Sequence, residues 1–225
     1  MIKLEIKPSF INSCLFELKN KDSNWELIFI KDANKFLNDK GGIWKLKKVD
    51  FSIAEKIILL SSQIINKKEE KILGLDGVSS KLMFKNESIK FWCPKKNSKE
   101  LELVSLFLKL MENFKDANCI NYMELLSQYF FDIIPIKEFN EEVFRLKVFG
   151  GLTNRDFDIL LKKIKNLKTK KFAILDMSNF LSTGSILNKC FIELKDNKNI
   201  KILVNKASFN YLTSIGFNKI QMEKL

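Results

Sequence analysis

Three groups of residues in this chain have the types and spacing that chemistry or recognition would need. The first is KFAILDMSNFLSTGSIL at 171–187, where Asp176 closes an apolar run and the hydroxyls of Ser182, Thr183 and Ser185 follow. An acid at the end of a buried strand is where α/β sheets present ligand-facing carboxylates. Hydroxyls ahead of a helix either cap it or offer a phosphorylation switch whose phosphate the helix start would favour. With no histidine or second carboxylate beside it in sequence, Asp176 is expected to hydrogen-bond to the turn that follows. The second group is Lys162, Lys163, Lys165, Lys168, Lys170 and Lys171. Such a run serves as a solvated helix end, where cations are favourable in themselves, or as a patch for an acidic partner. The third is Trp92 in FWCP at 91–94, an aromatic that either fills a core or anchors an interface.

The chain holds no histidine. Ser–His–Asp and Cys–His nucleophiles, histidine-ligated zinc and the usual general base near neutral pH are therefore excluded. Cys14, Cys93, Cys119 and Cys190 are scattered, which fits reduced and mostly buried thiols better than a zinc ribbon, a redox pair or a disulfide framework. LGLDGVSS has glycines but neither the spacing nor the lysine of a phosphate-binding loop, and reads as a turn. No catalytic residue, metal or cofactor is expected, and the chain is expected not to be an enzyme.

The formal net charge is +12. Residues 143–225 carry 16 Lys+Arg against 6 Asp+Glu, and residues 1–142 carry 23 against 21. The surplus thus belongs to the last third. Arg145 and Arg155 are the only arginines, whereas nucleic-acid readers interleave arginine and aromatics through a basic patch. No apolar run approaches the roughly 18 residues of a spanning helix. MIKLEIKPSF lacks the apolar core of a secretory signal, so no membrane partner and a cytoplasmic location are expected.

The elements that must position these residues change character along the chain. MIKLEIK, SCLFELKN, NWELIFIKD and GGIWKLKKVDF alternate apolar and polar residues between short turns, as antiparallel strands do. SIAEKIILLSSQIIN reads as a helix with Ser52 and Glu55 in capping-box spacing. KILGLDGVSSKLMFKNESIKFWCP returns to strand, with turns at Asp76-Gly77 and Asn86-Glu87. KELELVSLFLKLMENFK, opened by Ser98, and NYMELLSQYFFDII, with Asn121 and Glu124 in capping positions, read as helices. KEFNEE reads as an acidic connector. Beyond it VFRLKVFG, KFAILDM and IKILVN are strands alternating with the helices TNRDFDILLKKIKNL, GSILNKCFIELKDN and ASFNYLTSIGF. Strands apolar on both faces, alternating with helices, predict parallel pairing through right-handed crossovers. The expected fold class is an α+β N-terminal domain at 1–140, of short antiparallel strands plus helices. An α/β domain at 143–225 with a small, mostly parallel sheet is expected to follow.

The order FRLKVFGGLTNRDFDILLKKI, FAILDMSNF, IKILVN and LTSIGFNKI resembles the STAS domain of sulphate transporters and anti-sigma-factor antagonists. The resemblance spans 143–225 and does not reach the N-terminal part. It implies a small α/β layer that acts by binding other proteins. Regulatory members are phosphorylated on a Ser after the central strand, in an Asp-Ser-Ser/Thr-Gly loop. LSTG at 181–184 matches the last three positions, which makes Ser182 the implied switch, with Leu181 where the acid stands in the family. Alignment without a gap puts Ser185 at the switch and Gly184 at the acid position.

The resulting expectation is a non-enzymatic bacterial protein that binds another protein. The partner is either a toxin, this chain being its immunity protein, or a signalling protein regulated by a STAS-like domain. An acidic partner surface would complement the lysines. The alternative is nucleic-acid binding by the lysine-rich C-terminal domain.

Overall fold

The computed structural model describes residues 1–9, 11–33, 41–67 and 77–224. They form a mixed α/β structure with an antiparallel sheet, a mixed sheet, a small ribbon and six α-helices. Two units divide the chain, Met1–Phe131 and Asp132–Leu225.

The first unit begins with β1 (Ile2–Pro8), β2 (Cys14–Lys21), β3 (Asn24–Lys31) and β4 (Gly42–Val49), followed by α1 (Phe51–Ile65). Next come β5 (Val78–Phe84), β6 (Glu87–Trp92), α2 (Lys99–Met111), a single 3-10 turn at Glu112–Phe114 and α3 (Ala117–Ser127). The six strands make one antiparallel sheet in the order β4-β3-β2-β1-β5-β6. Alternation sends Leu4, Phe16 and Phe29 inward, where Phe16 meets Phe29 at 5.0 Å and Phe107 of α2 at 5.1 Å between ring centroids. Two-residue turns close two hairpins. Asp22-Ser23 and Lys85-Asn86 all have positive φ, the geometry of a type I′ turn that matches strand twist. Gly77 is described, with φ +142; Asp76, the other half of its expected turn, lies outside the described residues.

Two expected caps are corrected. Asp50, not Ser52, caps α1, its Oδ1 accepting from the backbone N–H groups of Ser52 and Ile53. Helix α3 starts four residues before Asn121, because Asp116 accepts from Cys119 N at 2.9 Å. In both cases an acid just outside the apolar run satisfies donors that the hydroxyl or amide within it was expected to take. Ser98 does cap α2, accepting from Leu101 N at 3.1 Å.

The second unit comprises β7 (Ile136–Asn140), β8 (Phe144–Val148), β9 (Gly150–Leu152), α4 (Phe157–Lys168), β10 (Ala173–Met177) and β11 (Phe180–Thr183). It ends with α5 (Asn188–Ile192), β12 (Ile200–Val204), α6 (Lys206–Ser214) and β13 (Met222–Lys224). The main sheet runs β13-β12-β10-β8-β7, with only β7 antiparallel. Strands β9 and β11 pair as a separate parallel ribbon. The expected acidic connector is strand β7, so the unit starts before residue 141. Ile136 is buried against Val148, and Glu138 is neutralised by Lys163 and Asn166 of α4. Edge strand β13 was not anticipated.

The expectation of strands apolar on both faces is also corrected. Phe144, Leu146 and Val148, with Ala173, Leu175, Met177, Ile200, Ile202 and Val204, form one core with residues from α4, α5 and α6. All three helices therefore cover the same face. The alternate positions, Arg145, Lys147, Ile174, Asp176, Lys201 and Leu203, line the face away from α4, α5 and α6. Consecutive right-handed crossovers stepping in one direction across a sheet produce this one-sided layer.

Candidate partner-binding surface

Asp176 lies on the face away from α4, α5 and α6, with no solvent exposure. Its Oδ2 accepts from Arg145 Nε at 3.1 Å and from Arg145 Nη2, and its Oδ1 accepts from Ser178 N at 3.0 Å. Burial pushes the carboxyl up, but the Ser178 and Arg145 hydrogen bonds, with the guanidinium charge, outweigh it and hold Asp176 below the usual carboxylate range. The expected bond to the following turn is present. The ion pair with Arg145, 31 residues away, was not foreseen. Every acceptor direction with a named partner points to an internal group, so Asp176 is built as a structural anion. The turn after it is pinned as well: Asn205 donates to the carbonyls of Ser178 and Phe180, and buried Ser208 donates to that of Met177.

The hydroxyl cluster differs from its expected role at a helix start. Ser182 belongs to strand β11, in register with Gly151, and its side chain is exposed. Ser185 is exposed at the first position of a 3-10 turn (Ser185–Leu187) that leads into the five-residue α5. Gly184 occupies the cap position, without a side-chain cap bond. Ser182, Thr183 and Ser185 are thus not caps, and the long helix expected from GSILNKCFIELKDN is a turn followed by a short one. Gly184 enters with extended backbone straight from β11, which leaves no hydroxyl placed to reach the first free N–H groups.

The lysine run divides by environment. Lys163 pairs with Glu138, Lys168 with Glu193 at 3.2 Å, and Lys170 sits over the Phe144 ring at 4.8 Å. Lys163 thereby holds Glu138 low against the upward push of its partial burial. Lys162, Lys165 and Lys171 are exposed. Trp92 belongs to the first unit, half-buried at the end of β6, where its ring lies against the Gly77 backbone. Among the described residues no group of three or more acids and cysteines could hold a metal ion.

A concave feature not expected from sequence lies at the N-terminal ends of the parallel strands. Val143, Phe172, Ile174, Ile200 and Ile220 make its apolar lining, and Lys198, Lys201, Asn199 and Gln221 its polar one, around a volume of about 550 Å³. Alternation from the core residue Ala173 puts Ile174 on the face away from α4, α5 and α6, and Val143 and Phe172 lead into β8 and β10 just before their first strand residues. Phe172 is 64% exposed, Val143 42% and Ile220 90%. The signal was present in KKFAIL, where an aromatic stands between the lysines and the first core residue, but it reads equally well as part of the strand. Comparison with known protein families and with curated proteins yields no match to this chain.

Proposed function

We propose that this protein acts without catalysis, by binding another protein through its C-terminal unit. The observation that carries the reading is the set of exposed lysines left over once the unit's own ion pairs are made. Glu138, Asp176, Glu193 and Glu223 are each matched by an internal cation. Lys162, Lys165, Lys171, Lys198 and Lys219 stay exposed. A surface of this kind steers and orients an acidic partner.

Two versions of the reading differ in the partner. As an immunity protein, the chain would cover a toxin's basic-substrate or active-site surface by shape and charge alone. As a STAS-like regulator, it would bind a signalling protein under control of Ser182 or Ser185, both exposed. The small α/β layer with consecutive strand order supports the second version; the strand setting of Ser182 and the extra N-terminal unit support the first.

Tagged full-length protein captured from native lysate, with mass spectrometry and then reconstitution from purified components, tests the proposal. The expected result is a stoichiometric complex with an acidic protein whose affinity falls as salt rises. Salt-dependent binding of duplex or single-stranded nucleic acid, with no reconstituted protein complex, would overturn it.

A further inference from the structure

We infer that the groove formed by Val143, Phe172, Ile174 and Ile220 is the docking site for a protein that presents one apolar side chain ringed by carboxylates. The inference rests on the proposed protein-binding function and specifies where and what it binds.

Geometry carries the first half. Phe172 and Ile220 are the most exposed large apolar side chains flanking this groove, and Val143 and Ile174 complete its apolar lining. Apolar residues exposed singly are ordinary, but several converging on one concavity mark an interaction site. The groove is too open to enclose a small ligand, because a wall residue that is 90% exposed cannot bury most of a ligand's surface. A side chain protruding from a larger surface fits it, with Phe172 as the aromatic contact of the kind that dominates interface energetics.

Charge carries the second half. Lys171 adjoins Phe172, Lys198 lines the groove and Lys219 adjoins Ile220. All three are exposed, and none is ion-paired among the described residues. Lys201, also in the lining, already pairs with Glu223 and so is partly neutralised. The rim is therefore cationic around an apolar floor, and its complement is apolar inside an anionic ring. A second copy of this chain would bring lysine against lysine, and a bilayer presents no protrusion to enter a groove.

The test measures calorimetric affinity of the reconstituted partner for the wild type, Phe172→Asp, Ile220→Asp and the double variant Lys171→Glu/Lys198→Glu. The substituted side chains are exposed, and circular dichroism checks that each variant folds. Phe172→Asp is expected to weaken binding about 30-fold or more. Lys171→Glu/Lys198→Glu is expected to weaken binding about tenfold, through slower association, and to flatten its salt dependence. Cross-linking of carboxylates on the partner to Lys171, Lys198 or Lys219 supports the assignment. Undiminished affinity in both Phe172→Asp and Ile220→Asp overturns the groove while leaving the protein-binding function standing. If no protein complex reconstitutes at all, the functional reading fails first. Dimerisation in sedimentation analysis that Phe172→Asp abolishes, or co-sedimentation with phosphatidylglycerol-containing vesicles that Ile220→Asp abolishes, assigns the groove to another occupant and also overturns the inference.

Discussion

Arg145→Met would leave the Asp176 carboxylate fully buried with only the Ser178 hydrogen bonds to hold its charge. Breaking a buried ion pair from one side costs about 3–5 kcal/mol, because the remaining charge is uncompensated. Two observations reduce that figure here. Ser178 N continues to donate to Oδ1, and the Arg145 side chain is itself 37% exposed, so water can replace part of the guanidinium. A loss of about 2–3 kcal/mol is expected, equivalent to a roughly 30- to 150-fold larger opening equilibrium. Tryptophan emission is the wrong probe, since Trp25, Trp44 and Trp92 all belong to the first unit. Hydrogen exchange of peptides covering β10 and β12 reads the second unit directly. The pH dependence follows from the direction of the Asp176 shift. Its folded carboxyl lies below the usual value, so the stabilisation is complete above the unfolded pKa of about 3.9 and is lost as pH falls through the lower folded value. Removing Arg145 takes away one of the influences holding it down, so the variant loses less on acidification. The gap between wild type and variant should therefore be widest at neutral pH and narrow below about pH 4. Arg145→Met/Asp176→Leu should recover most of the loss, since an apolar replacement of the whole pair is close to neutral. A change under twofold at neutral pH, or a gap equally wide on both sides of pH 4, would refute the view that this pair organises the sheet.

Other consequences are simpler to check. Asp116→Ala and Ser98→Ala each remove an N-cap acceptor and should lower stability by about 1 kcal/mol in urea unfolding followed by tryptophan emission. Lys85→Asn/Asn86→Gly should raise the same stability by about 1 kcal/mol, because both positions carry positive φ, at 49° and 69°, and the turn is type I′. Iodoacetamide at mildly alkaline pH should modify Cys93 first in the folded protein. Burial pushes the Cys14 and Cys119 thiols up to about 12, so mass spectrometry should find them unmodified until denaturant is added. Equal labelling rates at Cys14 and Cys93 would contradict the packing of the first sheet.

Local pattern was a good guide where one face of an element alone decided its fate. The first two strands alternate cleanly, β3 does so from Leu27 on, and the pattern slips in β4, where Lys47 and Lys48 are both exposed and the pairing with β3 shifts register. The same reasoning missed β7, because its charged residues look like linker until Lys163 and Asn166 arrive from another element to satisfy Glu138. Caps were misplaced for a related reason. Several hydrogen-bonding side chains stand near each helix start, and backbone geometry, not composition, selects Asp50 or Asp116. The hydroxyls at 182–185 were weighed as caps or switches on composition, and only the ribbon formed with β9 reveals that Ser182 is a strand residue.

That α4, α5 and α6 share one face of the second sheet was partly legible in the sequence, and one strand did most to obscure it. FRLKV alternates throughout and IKILV does so at Lys201, placing Arg145, Lys147 and Lys201 on one face, where apolar Leu203 joins them and Lys147 is itself buried. AILDM does not alternate in type, since Ile174 and Asp176 share a face with opposite polarity, and it made the whole sheet look buried on both sides. Yet the contrast within that strand has a physical logic. Asp176 is affordable without exposure only because Arg145 comes from the neighbouring strand, one pair off register. Ile174, two residues before it, stands in register between Arg145 and Lys201 and lines the groove with Phe172 and Val143. The strand that concealed the architecture is thus the one that joins its closed polar centre to its open apolar edge, and a partner seated in the groove would lie one pleat from the Arg145–Asp176 pair. Arg145→Met should then weaken such a complex less than Phe172→Asp does, because the first alters the frame of the sheet and the second removes the contact itself.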